Sequence, residues 1–298
     1  MKQQIKNLFA KLPPIKRLLA YRTLWVPGHY YSPIPDGKQG LSVTGNQEGK
    51  MLPVNGIPLN DEKQLGLMRQ LAPFMKESSF RNEEKVPGHR FYNNNGIYSF
   101  SDPLILESMI RHLRPSAIIE VGSGHTSALM LDVNNKYFNN SIALTFIEPY
   151  PERLFTVLSE ADKKAVTLHI KGVQEIDKKV FMALKENDIL FIDSTHVAKT
   201  GSDLLYLFFE ILPVINKGVY IHFHDIFNNF EYLPYHFNSF NGFGWNECYF
   251  LRAFLMYNPN FEIVLFSNYL DNKYKEELLT IMPDYPILRG AQLWMKKI

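Results

Sequence analysis

The sequence predicts an α/β fold in which a mostly parallel sheet fills residues 101–298 behind an N-terminal extension, residues 1–100. Three observations predict it. Short β-rich runs alternate with helical stretches after Pro115, the pattern of parallel strands joined by right-handed crossovers. The first of those runs ends in a Gly-x-Gly turn that opens a helix, Gly122-Ser123-Gly124. The composition, 46% hydrophobic and 21% charged over 298 residues, is that of a folded chain with a full core.

Met1 to Trp25 mixes Lys2, Lys6, Lys11, Lys16, Arg17 and Arg22 with Ile5, Leu8, Phe9, Leu12, Leu18 and Leu19, a composition that could lie on a membrane surface. Pro13 and Pro14 break its periodicity, so the expected form is a solvated or core-docking helix. From Pro27 to Pro58 the density of Gly and Pro predicts loop, a lid or an arm. Leu65, Met68, Leu71 and Met75 recur at helical spacing and predict a helix from Asp61 to Glu77. A second helix is expected with Asp102 as its cap, Pro103 at its first helical position and a stripe of Leu106, Met109, Ile110 and Leu113 that ends before Pro115. Strands are expected at 117–121, 142–147, 166–170, 189–192, 219–223, 263–266 and 291–295, with a helix at 247–257.

Several function classes are excluded. Net charge is +2 and the basic residues are spread along the chain, which gives no electrostatic footprint for nucleic acid and points to a small-molecule ligand. The single Cys248 cannot form an internal disulfide, and no leader pattern opens the chain, so a cytoplasmic setting is expected. No apolar run reaches the roughly 20 residues of a membrane span.

In Glu120-Val121-Gly122-Ser123-Gly124-His125-Thr126 the glycines let the backbone turn sharply and approach a ligand at a helix start. Dinucleotide enzymes usually place a third Gly where Ser127 stands and do not need an acid before the first Gly. At this motif the sequence resembles the class I S-adenosylmethionine-dependent methyltransferases. The resemblance extends through Ser99-Phe100-Ser101-Asp102, Phe146-Ile147-Glu148-Pro149-Tyr150-Pro151-Glu152-Arg153, Phe191-Ile192-Asp193-Ser194-Thr195-His196, His222-Phe223-His224-Asp225-Ile226 and Trp245-Asn246-Glu247, which look like a bacterial subgroup resembling small-molecule and glycan O-methyltransferases. It implies a Rossmann-like seven-stranded sheet with the last strand antiparallel beside the fifth. Residues 1–100, dense in Gly and Pro and with apolar anchors such as Leu65, Met68 and Phe74 too few for a separate core, are expected to cover the acceptor side of the domain at 101–298.

The resemblance implies that Glu120, Gly122, Ser123, Gly124, Glu148, Gln174 and Asp193 hold the cofactor, S-adenosylmethionine. Each position suits its role: Glu148 ends the second strand, where a carboxylate can accept from both ribose hydroxyls, and it could equally complement the dipole of the helix after Pro151. Gln174 or Glu175 would meet the adenine, or lie in a solvated loop. Asp193 ends the fourth strand beside the expected methyl position. His222 and His224 share one strand face; His222 is read as core, while His196, His224 and Asp225 are the catalytic candidates, because imidazole titrates near neutral pH and methyl transfer to a hydroxyl gains from a base. A divalent metal is the rival arrangement and not the expected one: Asp193 and Asp225 match the cation-dependent O-methyltransferases, but Ile226 replaces the next ligand and His224 would have to substitute. Phe240, Phe243 and Trp245 would form an aromatic wall for the acceptor or an ordinary packed loop, with Asn246 capping the next helix. The Asn/Asp-Pro-Pro-aromatic run typical of amino-methylating enzymes is absent after the fourth strand, so a hydroxyl of a sugar or other polar metabolite is the expected acceptor. The competing readings are an NAD-dependent oxidoreductase and a catalytically silent methyltransferase-like domain.

Overall fold

The computed structural model describes Trp25 and residues 27–35, 37–45, 50–237, 244–287 and 290–298. The basic segment before Trp25, and Phe240 and Phe243 of the expected aromatic wall, lie outside the described residues. The chain forms two compact units, residues 1–48 with 233–244, and residues 49–232 with 245–298.

The larger unit is built on seven strands: β1 Ala117–Val121, β2 Ala143–Ile147, β3 Thr167–His169, β4 Ile189–Ile192, β5 Tyr220–His224, β6 Phe261–Phe266 and β7 Gln292–Lys297. Their order is β3-β2-β1-β4-β5-β7-β6. β1 to β5 are mutually parallel, and β7 runs antiparallel between β5 and β6. The central strand β4 is apolar along its length, with Ile189, Leu190, Phe191 and Ile192 all buried, as expected of a parallel strand covered on both faces. Parallel pairing brings Val121, Ile147, Ile192 and His224 to one edge of the sheet, and the chain segments leaving that edge build the site.

Helix Ser101–Leu113 is buried on nearly every side and packs between helices Asp61–Lys76 and His125–Phe138. Helix Asp61–Lys76 also packs on β6, so this part of the N-terminal hundred residues belongs to the same compact unit as the sheet. The expected capping role of Asp102 is not what forms. The helix starts two residues earlier, at Ser101, Phe100 precedes it at φ 62°, and no side chain caps the end. Asp102 instead turns inward to β5 and β7, where buried donors compete better for a carboxylate than the helix's own N–H groups. Asn246 likewise makes no cap bond to its helix, Glu247–Leu255; its amide clamps both backbone groups of Ala198.

In the smaller unit the segment read as loop contains a helix, Gly37–Gly45. Its three glycines hide it from propensity. Gly40 has a packing reason: a Cβ there would stand 2.3 Å from the Phe237 ring, in the turn Pro234–Phe237 on which the helix rests. No helix among the described residues is long and apolar enough to cross a membrane.

Candidate active site

Along the carboxyl edge of the sheet runs a cleft of about 440 Å³. One end is made by the turn after β1 and by the end of β2. Gly122 adopts φ 84°, and a Cβ there would lie 1.8 Å from the Asp193 carbonyl oxygen, so only glycine lets this turn pass the end of β4. Glu148 accepts from the backbone N–H of Ser123 at 3.1 Å and of Tyr150 at 2.8 Å. Two of its roughly four acceptor positions are thereby used, and the partly exposed carboxylate keeps capacity for ligand hydroxyls.

Val121, Gly122, Ser123, Gly124, Glu148 and Asp193 line the cleft together; Glu120 and Gln174 do not. Glu120 is fully buried beneath the turn, where the hydroxyls of Thr126 and Ser127 donate to it. Burial pushes its carboxyl up to about 8, the hydroxyls pulling the other way. Its geometry is that of a strut for the turn. Gln174 donates to the Gly201 carbonyl at 2.8 Å, and its neighbours Gly172 and Val173 face the cleft instead.

At the other end Asp193, His196, His224 and Asp225 converge. His196 and Asp225 are held at φ 60° and 55°, left-handed conformations that non-glycine residues adopt at a cost and that gather at functional sites. The loop after β4 is tied down on three sides. Asp203 accepts from Thr195 N–H at 2.9 Å and from its hydroxyl at 2.7 Å. The N–H groups of Asn246 and Glu247 donate to the His196 carbonyl. Asn246 holds Ala198.

Each histidine is gripped from behind by a carboxylate that the sequence did not single out as a site residue. His196 Nδ1 donates to buried Glu247 at 2.7 Å, which turns Nε2 toward Asp193 and Asp225 at 3.5 and 3.6 Å. His224 Nε2 meets Asp102 at 3.3 Å and leaves Nδ1 3.7 Å from Asp193 and 3.6 Å from Asp225. Asp102 is fixed in turn by Ala291 N–H and the Gln292 amide. Burial alone would lower both imidazoles, but Glu247 and then the two aspartates raise His196 to about 9, and Asp193 and Asp225 hold His224 well above its ordinary value. The sequence carried one signal for these partners: both are acids in the first turn of an apolar helix.

His222 takes the core role expected of it. It is fully buried, its ring stacks on Phe191 at 3.8 Å, and burial followed by the charge of His224 holds it neutral. Tyr98 and Trp245, also at the cleft, stand 5.3 and 4.4 Å from the rings of His224 and His196.

Residues 119–226, from β1 to just past Asp225, match the family described as "Methyltransferase domain". The chain belongs to the class I S-adenosylmethionine-dependent methyltransferases. An uncharacterised protein of Archaeoglobus fulgidus is 31% identical over 199 residues, 60% of this chain and 86% of that protein. Among solved structures, the methyltransferase is similar to one from Podospora anserina with bound S-adenosylhomocysteine, at 13% identity, 93% and 100% of the two chains and a TM-score of 0.43. It is also similar to an O-methyltransferase of tomaymycin synthesis from Streptomyces achromogenes, at 12% identity, 89% and 99% of the chains and a TM-score of 0.43.

The magnesium set of cation-dependent O-methyltransferases does not fit the methyltransferase's residues. Ile226, where that set's third oxygen would stand, is buried and has no donor atom. Among the described residues, the group whose ligand atoms all lie within 4.8 Å of one another is Asp193, His196 and Asp225, with His196 rather than His224 as its imidazole.

Proposed function

We propose that this methyltransferase moves the methyl group of S-adenosylmethionine to a hydroxyl oxygen of a small polar metabolite, a sugar or a similar polyol. One observation carries the reading: a single cleft joins the Gly122 to Gly124 turn and Glu148 to a histidine and carboxylate group, with Asp193 between them. Glu148 would take the ribose hydroxyls, and the glycine turn the adjoining part of the cofactor. Glu120 would act through the turn it supports. Gly172 and Val173, which line the cleft, would meet the adenine in place of Gln174, which does not. The acceptor hydroxyl would sit against Asp193 and Asp225, and the neutral form of His224 or His196 would take its proton, each ring backed by a carboxylate that stabilises the resulting imidazolium. The residues at the end of β4, Asp193-Ser194-Thr195-His196, favour oxygen over an amino nitrogen as the acceptor atom. Of the N-terminal hundred residues, Ile97 and Tyr98 line this cleft, in keeping with an acceptor-side role.

The test is methyl transfer from S-adenosylmethionine to a panel of sugars and polyols. With a working acceptor, His224→Ala or His196→Ala should lower turnover by about 10²–10⁴-fold, the usual size of general-base assistance. Affinity for S-adenosylhomocysteine should stay within a factor of about three. Turnover near wild type in both variants would remove the histidines from the mechanism, and transfer only to amines would overturn the hydroxyl assignment.

A further inference from the structure

We propose that Asp193, His196 and Asp225 form a centre for a transition-metal cation, zinc or cobalt in preference to magnesium, with Glu247 as the outer carboxylate that fixes His196 for ligation. The proposal rests on the hydroxyl-methylating role of this site and adds to it which cation the site selects.

Three features of the geometry point there. The separations of His196 Nε2 from Asp193 and Asp225, 3.5 and 3.6 Å, are too long for hydrogen bonds. They suit two ligands of one ion, since ligand atoms about 2.1 Å from a tetrahedral zinc stand about 3.4 Å apart. Glu247 takes the other ring nitrogen at 2.7 Å, so the Nε2 lone pair faces the two aspartates. A ligating histidine almost always donates its second N–H in this way, and the partner fixes both tautomer and ring orientation. Finally, the Glu247 clamp is rigid: the same helix start binds the His196 carbonyl with two backbone N–H groups.

The donor set decides the metal. Magnesium prefers oxygen ligands in octahedral array and keeps several waters. One buried imidazole with two carboxylates, and Ile226 in place of a further oxygen, favours borderline cations. Such a cation would supply a positive charge that favours the deprotonated form of a bound hydroxyl. With His196 committed to ligation, His224 stays outside the ligand set. Its Nδ1 is 3.6 to 3.7 Å from both aspartates, and Asp102 steadies its other nitrogen.

The experiment titrates chelator-treated full-length protein with zinc, cobalt and magnesium chlorides by calorimetry, and follows cobalt by its visible absorption. Zinc and cobalt should bind at least about 100-fold more tightly than magnesium. His196→Ala should abolish that preference and the cobalt spectrum, and Glu247→Gln should weaken cobalt binding by about 10- to 100-fold. Thermal unfolding reports whether each variant is folded; if one is not, the selectivity of the wild-type protein still decides. Equal or tighter magnesium binding, no binding by any of the three up to millimolar concentration, or a folded His196→Ala protein that keeps the preference would overturn the proposal. S-adenosylhomocysteine binding, measured on the same samples, separates this failure from failure of the methyltransferase reading: a metal-binding protein with no affinity for the cofactor product would sink only the latter.

Discussion

Gly122 and Glu120 show how single residues set the end of the cleft beside Glu148. An alanine methyl at position 122 would have to occupy the space of the Asp193 carbonyl oxygen, 1.8 Å away, in a backbone conformation with φ 84°. Gly122→Ala should therefore destabilise the fold by more than about 2 kcal/mol and weaken S-adenosylhomocysteine binding at least tenfold. A well-folded variant with unchanged affinity would show that the turn can move. Glu120 makes a pH-dependent prediction. Buried, its carboxyl is raised to about 8 in the folded state, whereas an unfolded glutamate titrates near pH 4.3. Folding thus favours its protonated form. Its stabilising contribution is complete below the unfolded value and is lost as pH rises through about 8. Glu120→Gln, neutral throughout, should gain stability relative to wild type between pH 5 and pH 9, seen as a narrowing or reversal of the difference in melting temperature. Parallel curves for the two proteins across that range would contradict the assignment.

Among the elements, the strands and their carboxyl ends were the most legible part of the sequence. Alternating apolar runs located all seven strands, and β1 and β4 match to the residue. Asp193, His196, His224 and Asp225 could be found because they fall at strand ends or just beyond them, where a parallel sheet places its ligands. Asp102 and Glu247 could not, because their partners lie 122 and 51 residues away and no local pattern encodes that pairing. The same blindness hid a staple between elements. Arg90 bonds Asp132 of helix His125–Phe138 at 2.7 Å and Asp162 of helix Glu160–Ala165 at 2.6 Å. Arg90→Gln should cost about 2 kcal/mol in denaturant unfolding, since it leaves the buried Asp132 carboxylate without its cation. Although burial opposes it, Arg90 lowers Asp162 to about 2, so the carboxylate's contribution is present above its unfolded value and lost as pH falls toward 2. The gap between wild type and variant should close over that acid range. A gap that persists unchanged at pH 2 would assign the effect to packing instead.

For the whole molecule, every residue of the cleft belongs to the compact unit formed by residues 49–232 and 245–298. Removing residues 1–48 should leave the affinity for S-adenosylhomocysteine within about threefold, a difference of about 0.7 kcal/mol. Loss of binding in a folded truncated protein would mean that this segment helps to hold the cofactor. The central claim, that the cleft between Glu148 and the His196 group holds S-adenosylmethionine, is tested most directly by calorimetry of the full-length protein with S-adenosylhomocysteine and, separately, NAD. The expected result is saturable one-to-one binding of S-adenosylhomocysteine that falls at least tenfold in Glu148→Ala, with no heat from NAD. Binding of NAD without any response to S-adenosylhomocysteine would contradict it.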